Sequence, residues 1–333
     1  MPPLEIVVAV VMLVALTIYA LLGGADYGGG VWDLLARGPR AAKQRELVAN
    51  AIGPIWEANH VWLILVVVLM FACFPPAFAR ISIALHIPIA LMLIGIVLRG
   101  SAFTFRTYDA QVDQVQRRWG RMFAIPSMIT PILLGVILGA VSMDLSTTPS
   151  HAVAYYFRWV SLFPFAVGLF ALILFAFLAA VYLTAEAGDR LLQDDFRFRA
   201  MVAELAAGGL ALLVFLVAPE HLRERLAGSW WTWPLQLVTA VLAVSTLTAL
   251  WTRRFTWARI TAAGQVTLIL WGWGLSQYPY LVRPEITIQS AAAPEVTLRL
   301  VLQALAAGSV VLIPSYWYLL RAFKSSRTLA DPK

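Results

Sequence analysis

A carboxylic acid, an amide and an imidazole fall within four residues of one another, Glu57, Asn59 and His60, in the block Gly53-Pro54-Ile55-Trp56-Glu57-Ala58-Asn59-His60-Val61-Trp62. Such a group can accept protons from water and pass them inward, with histidine suited to the task near neutral pH. Glu57 and His60 are three apart and share a helix face. The block runs into Leu63–Phe74, which carries no charge, and Pro75-Pro76 ends the segment. Val61 to Phe74 is about 21 Å of helix, short of a hydrocarbon core of roughly 30 Å. Counting back about 20 residues from Phe74 starts the membrane segment near Ile55 and leaves Glu57, Asn59 and His60 at or just inside the bilayer boundary. Ionisable groups there are costly and mark function by default. The competing reading is a structural polar cluster that satisfies a helix start broken by Pro54.

A second acid lies in Leu21-Leu22-Gly23-Gly24-Ala25-Asp26-Tyr27-Gly28-Gly29-Gly30-Val31-Trp32-Asp33. No strand precedes the glycines and no Gly-Lys-Ser/Thr follows them, so the signal for a phosphate cradle is weak. Asp26 is about 33 Å along a helix from Leu4, near the inner surface. It reads either as a hydrated aspartate at a glycine-softened helix end or as a proton-path group. Arg99 ends its apolar segment as a snorkelling anchor, with an ion pair to Glu57 or Asp26 as the alternative. Glu186 and Glu204 read as solvated helix ends. The histidines are His60, His86, His151 and His221. The last three fall in or near outer connections, which argues against axial haem ligation here. No His/Cys/carboxylate spacing predicts a metal site, and no catalytic triad or nucleophile elbow occurs.

These residues must be positioned by membrane helices. With 61% hydrophobic and 13% charged residues, the chain of 333 residues predicts one all-α polytopic domain over 1–333. Long apolar runs exclude a barrel. Nine spans are expected, at about 4–22, 55–74, 81–101, 122–142, 159–184, 200–218, 231–251, 257–280 and 298–322. They divide into two four-helix bundles plus one peripheral helix. Of the 25 Lys and Arg residues, 19 fall in the connections after spans 1, 3, 5 and 7, at the C-terminus, or, as Arg99, Arg259 and Arg321 do, in span ends on the same side. This bias puts the N-terminus outside and the C-terminus in the cytoplasm, and it turns a net charge of +7 into a topology signal rather than a nucleic-acid footprint. Met-Pro-Pro-Leu-Glu lacks a positive n-region, so the first span is expected to be a retained helix. A single cysteine, Cys73, allows no intrachain disulfide. The pairs Gly24/Gly28 and Gly135/Gly139 permit close helix contacts.

The chain resembles subunit II of the cytochrome bd-type quinol oxidases, including the cyanide-insensitive branch. The strongest match is Ile52–Ile64, with Trp56, an acid, a small residue, Asn59, then Val61-Trp62-Leu63; Gly23–Gly30 is similar to the acidic glycine motif ending the family's first helix. Leu98-Arg99, Thr130-Pro131 and Leu312-Ile313-Pro314 are weaker echoes. Gly23 stands where many relatives carry a first carboxylate, leaving Asp26 alone, and Glu57 stands where others have aspartate. The resemblance implies a bacterial inner-membrane complex that oxidises quinol and reduces dioxygen to water without pumping. Haems b and b/d and the quinol-oxidising site are expected in a partner subunit I, with a small accessory subunit, a structural quinone or a lipid as further associates. No cofactor or metal is expected on this chain alone. Glu57, Asp26 and His60 become the proton-path candidates, and Asn59, Arg99, Trp56 and Trp62 their polar and structural support. A proton-coupled transporter and a purely structural membrane subunit are the rival readings.

Overall fold

The computed structural model describes residues 3–52, 56–108, 113–145 and 156–325, without the side chains of 52, 56–57, 106–108, 113–118 and 319–325. Twelve helices and one short hairpin occur in that range. In chain order they are α1 (Leu4–Leu35), α2 (Ala41–Ile52), α3 (Trp56–Cys73), α4 (Pro75–Ala84), α5 (His86–Tyr108), α6 (Asp113–Val141), α7 (Leu162–Glu186), α8 (Arg190–Val217), α9 (Glu220–Gly228), α10 (Thr232–Trp251), α11 (Phe255–Gln277), β1 (Tyr280–Val282), β2 (Ile286–Thr287) and α12 (Glu295–Ser325). The chain is an all-α polytopic membrane protein. Among the described residues seven helices are long and apolar enough to cross a bilayer. The bent pair α3 and α4, folded by 117°, makes an eighth if it is one span. The remaining expected span, 257–280, corresponds to α11, whose 23 residues fall outside that set because Arg259, Gln265 and Gln277 interrupt the apolar run.

α7 is the helix around which the others gather. Its sequence is apolar on every side, and Phe177, Leu178, Ala180 and Val181 are sealed from solvent, as expected of a helix with no polar stripe to turn outward. It packs against α1, α6, α8 and α11. Small residues set how near its neighbours come. Added Cβ atoms at Gly24 and Gly135 would stand 2.6 Å from Phe175 Cδ1 and from the Val167 carbonyl oxygen of α7. At Gly28 a Cβ would run into the Phe175 carbonyl itself. The two glycine pairs therefore share one partner, α7, gripped from α1 and from α6.

This explains a departure from expectation. The first helix does not end at the glycines; α1 continues unbroken through Gly23, Gly24, Gly28, Gly29 and Gly30 to Leu35. Glycine costs a helix about 1 kcal/mol relative to alanine, and close packing against α7 offsets that cost. Gly28→Leu would have to push α1 away from backbone. Overpacking of this kind costs about 1–3 kcal/mol, so the solubilised variant should melt at a lower temperature than the parent while keeping its helical circular dichroism.

Two apolar clusters are the largest among the described residues. One joins Val8, Leu69, Phe74, Val136 and Leu145; the other joins Phe177, Val181, Ala200, Leu250 and Ala258. At one end of the molecule α2 is fastened to α8 by Arg40, which donates to both carboxylate oxygens of Asp195 at 2.8 and 2.6 Å, and by Gln44, which donates to Asp195 at 2.8 Å. At the other end the 281–297 connection is ordered by the antiparallel β1–β2 pair rather than being a plain loop. Leu145 N–H donates to the Arg283 carbonyl there, and Arg80 reaches Glu285 at 3.3 Å. Trp273 Nε1 donates to Ser142 Oγ at 2.8 Å, and His221 Nε2 lies 3.2 Å from the Ser142 carbonyl. Burial, and then the positive charge of Arg283, hold the His221 imidazole below its ordinary value.

Candidate functional site

The buried polar groups converge where the second half of α1 meets the start of α3, the C-terminal half of α5, the N-terminal half of α6 and the far end of α12. Asp26 is 6% exposed and Asn59 1% exposed. Asn59 Nδ2 donates to Asp26 Oδ2 at 2.5 Å. On the other side Tyr316 Oη donates to Asn59 Oδ1 at 3.1 Å. Because the hydroxyl takes the carbonyl end of the amide, the NH2 end is left to face Asp26. Tyr316 is thus a positioning residue for Asn59, and Trp62 packs edge-on against its ring with centroids 6.3 Å apart.

Arg99 is the second centre of the pocket. It does not snorkel: the residue is 2% exposed. Its Nε donates to Ser127 Oγ at 3.1 Å, and Ser127 Oγ in turn donates to the Phe123 carbonyl at 2.7 Å. The guanidinium carbon lies 4.6 Å from the Tyr27 ring centroid and 5.0 Å from that of Phe123, a desolvated cation held between two aromatic faces. Gly30 admits this arrangement, since a Cβ there would collide with Ser127. Arg99 forms no ion pair among the described side chains, and its Nη2 is buried without a hydrogen-bond partner. It nevertheless acts electrostatically on Asp26, so one buried positive and one buried negative group share the pocket.

His60 stands beside this pair. Its ring centroid is 6.0 Å from that of Tyr19 and 6.1 Å from that of Tyr27, and Tyr19 and Tyr27 are joined through their hydroxyls at 3.4 Å. The structure thus brings Asp26, Asn59, His60, Arg99 and Trp62, each singled out in the sequence, to one place. Sequence reasoning missed Tyr316, Ser127 and the two tyrosines. Tyr316 follows Pro314 in the aromatic tail already singled out, which was the available signal. Glu57 and Trp56 lie in the first turn of α3, and their side chains are outside the described residues, as is Gly53-Pro54-Ile55.

The remaining sequence candidates fall elsewhere. His86 Nδ1 is 3.0 Å from the Ile83 carbonyl and its ring meets Tyr156 edge-on; His151 is outside the described residues. Among the described residues no three His, Cys, Asp or Glu side chains gather as a metal-holding set. Glu186 sits at the end of α7 and pairs with Arg259 at 3.3 Å. Glu204 departs from expectation: it is not at a solvated end but 5% exposed within α8, because the polar start of that helix, Arg190–Arg199, already reaches the surface.

A buried acid–amide–tyrosine chain with a buried arginine is a group that can hold and pass a proton. Comparison with known proteins gives it a family. The model of the cytochrome bd terminal oxidase subunit II family matches residues 4–323. The chain is 34% identical over 121 residues to cytochrome bd ubiquinol oxidase subunit 2 of Bacillus subtilis, a match covering 36% of this chain and 34% of that protein. It is 22% identical over 330 residues to the putative cytochrome bd menaquinol oxidase subunit II of the same organism, covering 92% and 91%. A chain in the structure of bd oxidase from Geobacillus thermodenitrificans shares the fold, with a TM-score of 0.76 and 23% identity over 96% of this chain and 98% of that one. By the extent of the family match, the chain belongs to the cytochrome bd terminal oxidase subunit II family.

Proposed function

We propose that this chain is the subunit II of a bd-type quinol oxidase in the bacterial inner membrane, with its N-terminus outside and its C-terminus in the cytoplasm. It scaffolds a haem-bearing subunit I and supplies side chains for proton delivery from the cytoplasm. Haems held by subunit I would supply the electron transfer from quinol to dioxygen. The part of this chain is to take up protons on one side of the membrane for the water that forms. Family membership supports the scaffold role. The observation that carries the proton role is Asp26, an acid buried in the interior and bonded to Asn59 at 2.5 Å. An apolar residue there would be cheaper for structure alone, since an ionisable group inside a membrane is costly.

In this reading Glu57, at the start of α3, meets water first, and His60 and Asp26 follow. Asn59 binds the Asp26 carboxylate and Tyr316 keeps Asn59 turned toward it. Arg99 balances the charge of Asp26 without bonding to it, which leaves the carboxyl free to gain and lose a proton. The positive-inside distribution of basic residues supports a cytoplasmic position for this end of the bundle.

Glu57→Gln tests the uptake step. With a normal haem spectrum in the purified complex, quinol-oxidase turnover should fall, and its dependence on pH over about 6 to 9 should change shape, because a group that loads protons from water has been removed. Turnover and pH profile both equal to the parent would remove Glu57 from the path. Absence of any co-purifying haem protein would instead remove the oxidase assignment.

A further inference from the structure

The second apolar half of the molecule contains one buried acid that the proton path does not use. Glu204 of α8 and Gln265 of α11 are 5% and 6% exposed. Gln265 Nε2 donates to Glu204 Oε1 at 2.8 Å. The two remaining oxygens, Glu204 Oε2 and Gln265 Oε1, are both buried and have no hydrogen-bond partner. Two orphaned acceptors on one bonded pair is an unusual deficit, since buried polar atoms are nearly always satisfied.

One proton removes the whole deficit. An ionised carboxylate and a primary amide offer too few donors for their oxygens, whereas a carboxylic acid supplies the missing O–H. We propose that Glu204 is a proton-holding site in the second half of the protein. The neutral acid donates from Oε2 to Gln265 Oε1 while Gln265 Nε2 donates to Oε1, a reciprocal pair joining α8 to α11.

The surroundings agree. On α8 the charged residues other than Glu204 lie between Arg190 and Arg199, where Asp194 binds Arg253 at 2.6 Å and Asp195 binds Arg40. On α11 the charged residue is Arg259, about 9 Å along the helix from Gln265 and paired to Glu186, the charged residue of α7. α10 has no charged residue, and its Thr246 is bonded to Thr261 at 2.8 Å. Arg199, five residues before Glu204 on α8, donates to Gln44 at 2.8 Å and stacks on Trp32 and Phe196, and among the described residues no cation forms an ion pair with Glu204. An acid held neutral is the state that hydrocarbon surroundings favour.

Infrared spectroscopy of the purified complex decides the matter independently of quinol oxidation. The difference between the parent and Glu204→Gln should show loss of one protonated-carboxyl C=O band, present throughout about pH 6 to 9 and with no matching loss of carboxylate bands. Glu204→Gln keeps one donor and one acceptor for each bond, so the fold is retained. Loss of carboxylate bands instead, with no acid band, overturns the proposal. In Gln265→Leu the acid band should persist and move to higher frequency as its O–H loses an acceptor. An acid band unmoved by that substitution rules out the reciprocal pair.

Discussion

Asp26→Asn is expected to lower quinol-oxidase turnover by about 100-fold, the scale of a lost proton-transfer group, in a complex that still assembles and shows its haem spectrum. The substitution is nearly isosteric and retains an oxygen to accept from Asn59 Nδ2, so the 2.5 Å contact has a successor of similar shape. What it removes is the capacity to gain and lose a proton at that point. Arg99 then loses the acid that balances its charge, but it keeps Ser127 and the faces of Tyr27 and Phe123, so the pocket does not have to open. Oxygen consumption with a soluble quinol measures turnover, and the optical spectrum of the same sample measures assembly. A parent-like rate with intact haems would reduce the Asp26–Asn59–Tyr316 chain to a structural tie between α1, α3 and α12. A Tyr316→Phe variant separates the roles further. It leaves the acid in place and frees the Asn59 amide to turn, so it should slow turnover less than Asp26→Asn does.

Much of this pocket was legible because the membrane makes polar residues conspicuous. Asp26, Asn59, His60 and Arg99 each interrupt an apolar run, and a polar group within such a run must find others. Their meeting follows from helices that enter at the same end. The depth was harder to read. Counting residues put Asp26 at a softened helix end, since glycine lowers helix propensity; the contacts of Gly24 and Gly28 with Phe175, which keep α1 helical to Leu35, depend on a partner almost 150 positions away. The same limit applies to Glu204, whose neighbour Gln265 lies 61 residues on, and to Tyr316, 257 residues from Asn59. Span 3 illustrates another. Its expected start at residue 81 merged what the fold keeps apart, the short helix α4 and the longer α5, because Ile81–Ile89 is apolar apart from Ser82 and His86. A hydropathy run reports burial and not the direction of the chain, so a bend of 117° between α3 and α4 leaves no mark beyond Pro75-Pro76.

Arg99→Met is expected to destabilise the subunit by about 3–5 kcal/mol, the cost of breaking a buried charge balance by removing one member, and to lower the yield of assembled complex accordingly. The argument rests on where the charge is. Arg99 is 2% exposed and lacks a carboxylate in bonding range among the described side chains, so what offsets its desolvation is the pair of aromatic faces, the Ser127 hydroxyl and the field of Asp26. Methionine fills much of the volume and restores the apolar contact with Tyr27 and Phe123. It leaves Asp26 as a buried acid with no positive charge to act on it. Arg99→Lys should recover only part of the loss, because an ammonium cannot stack flat between two rings or offer the Nε–H that Ser127 accepts. The double variant Arg99→Met with Asp26→Asn carries neither charge. If the two groups balance each other through the pocket, its thermal stability in detergent should lie above that of Arg99→Met alone, a non-additivity of the sign expected for coupled sites. Additive losses would mean that Arg99 serves packing only, and that Asp26 is balanced by a group outside this pocket.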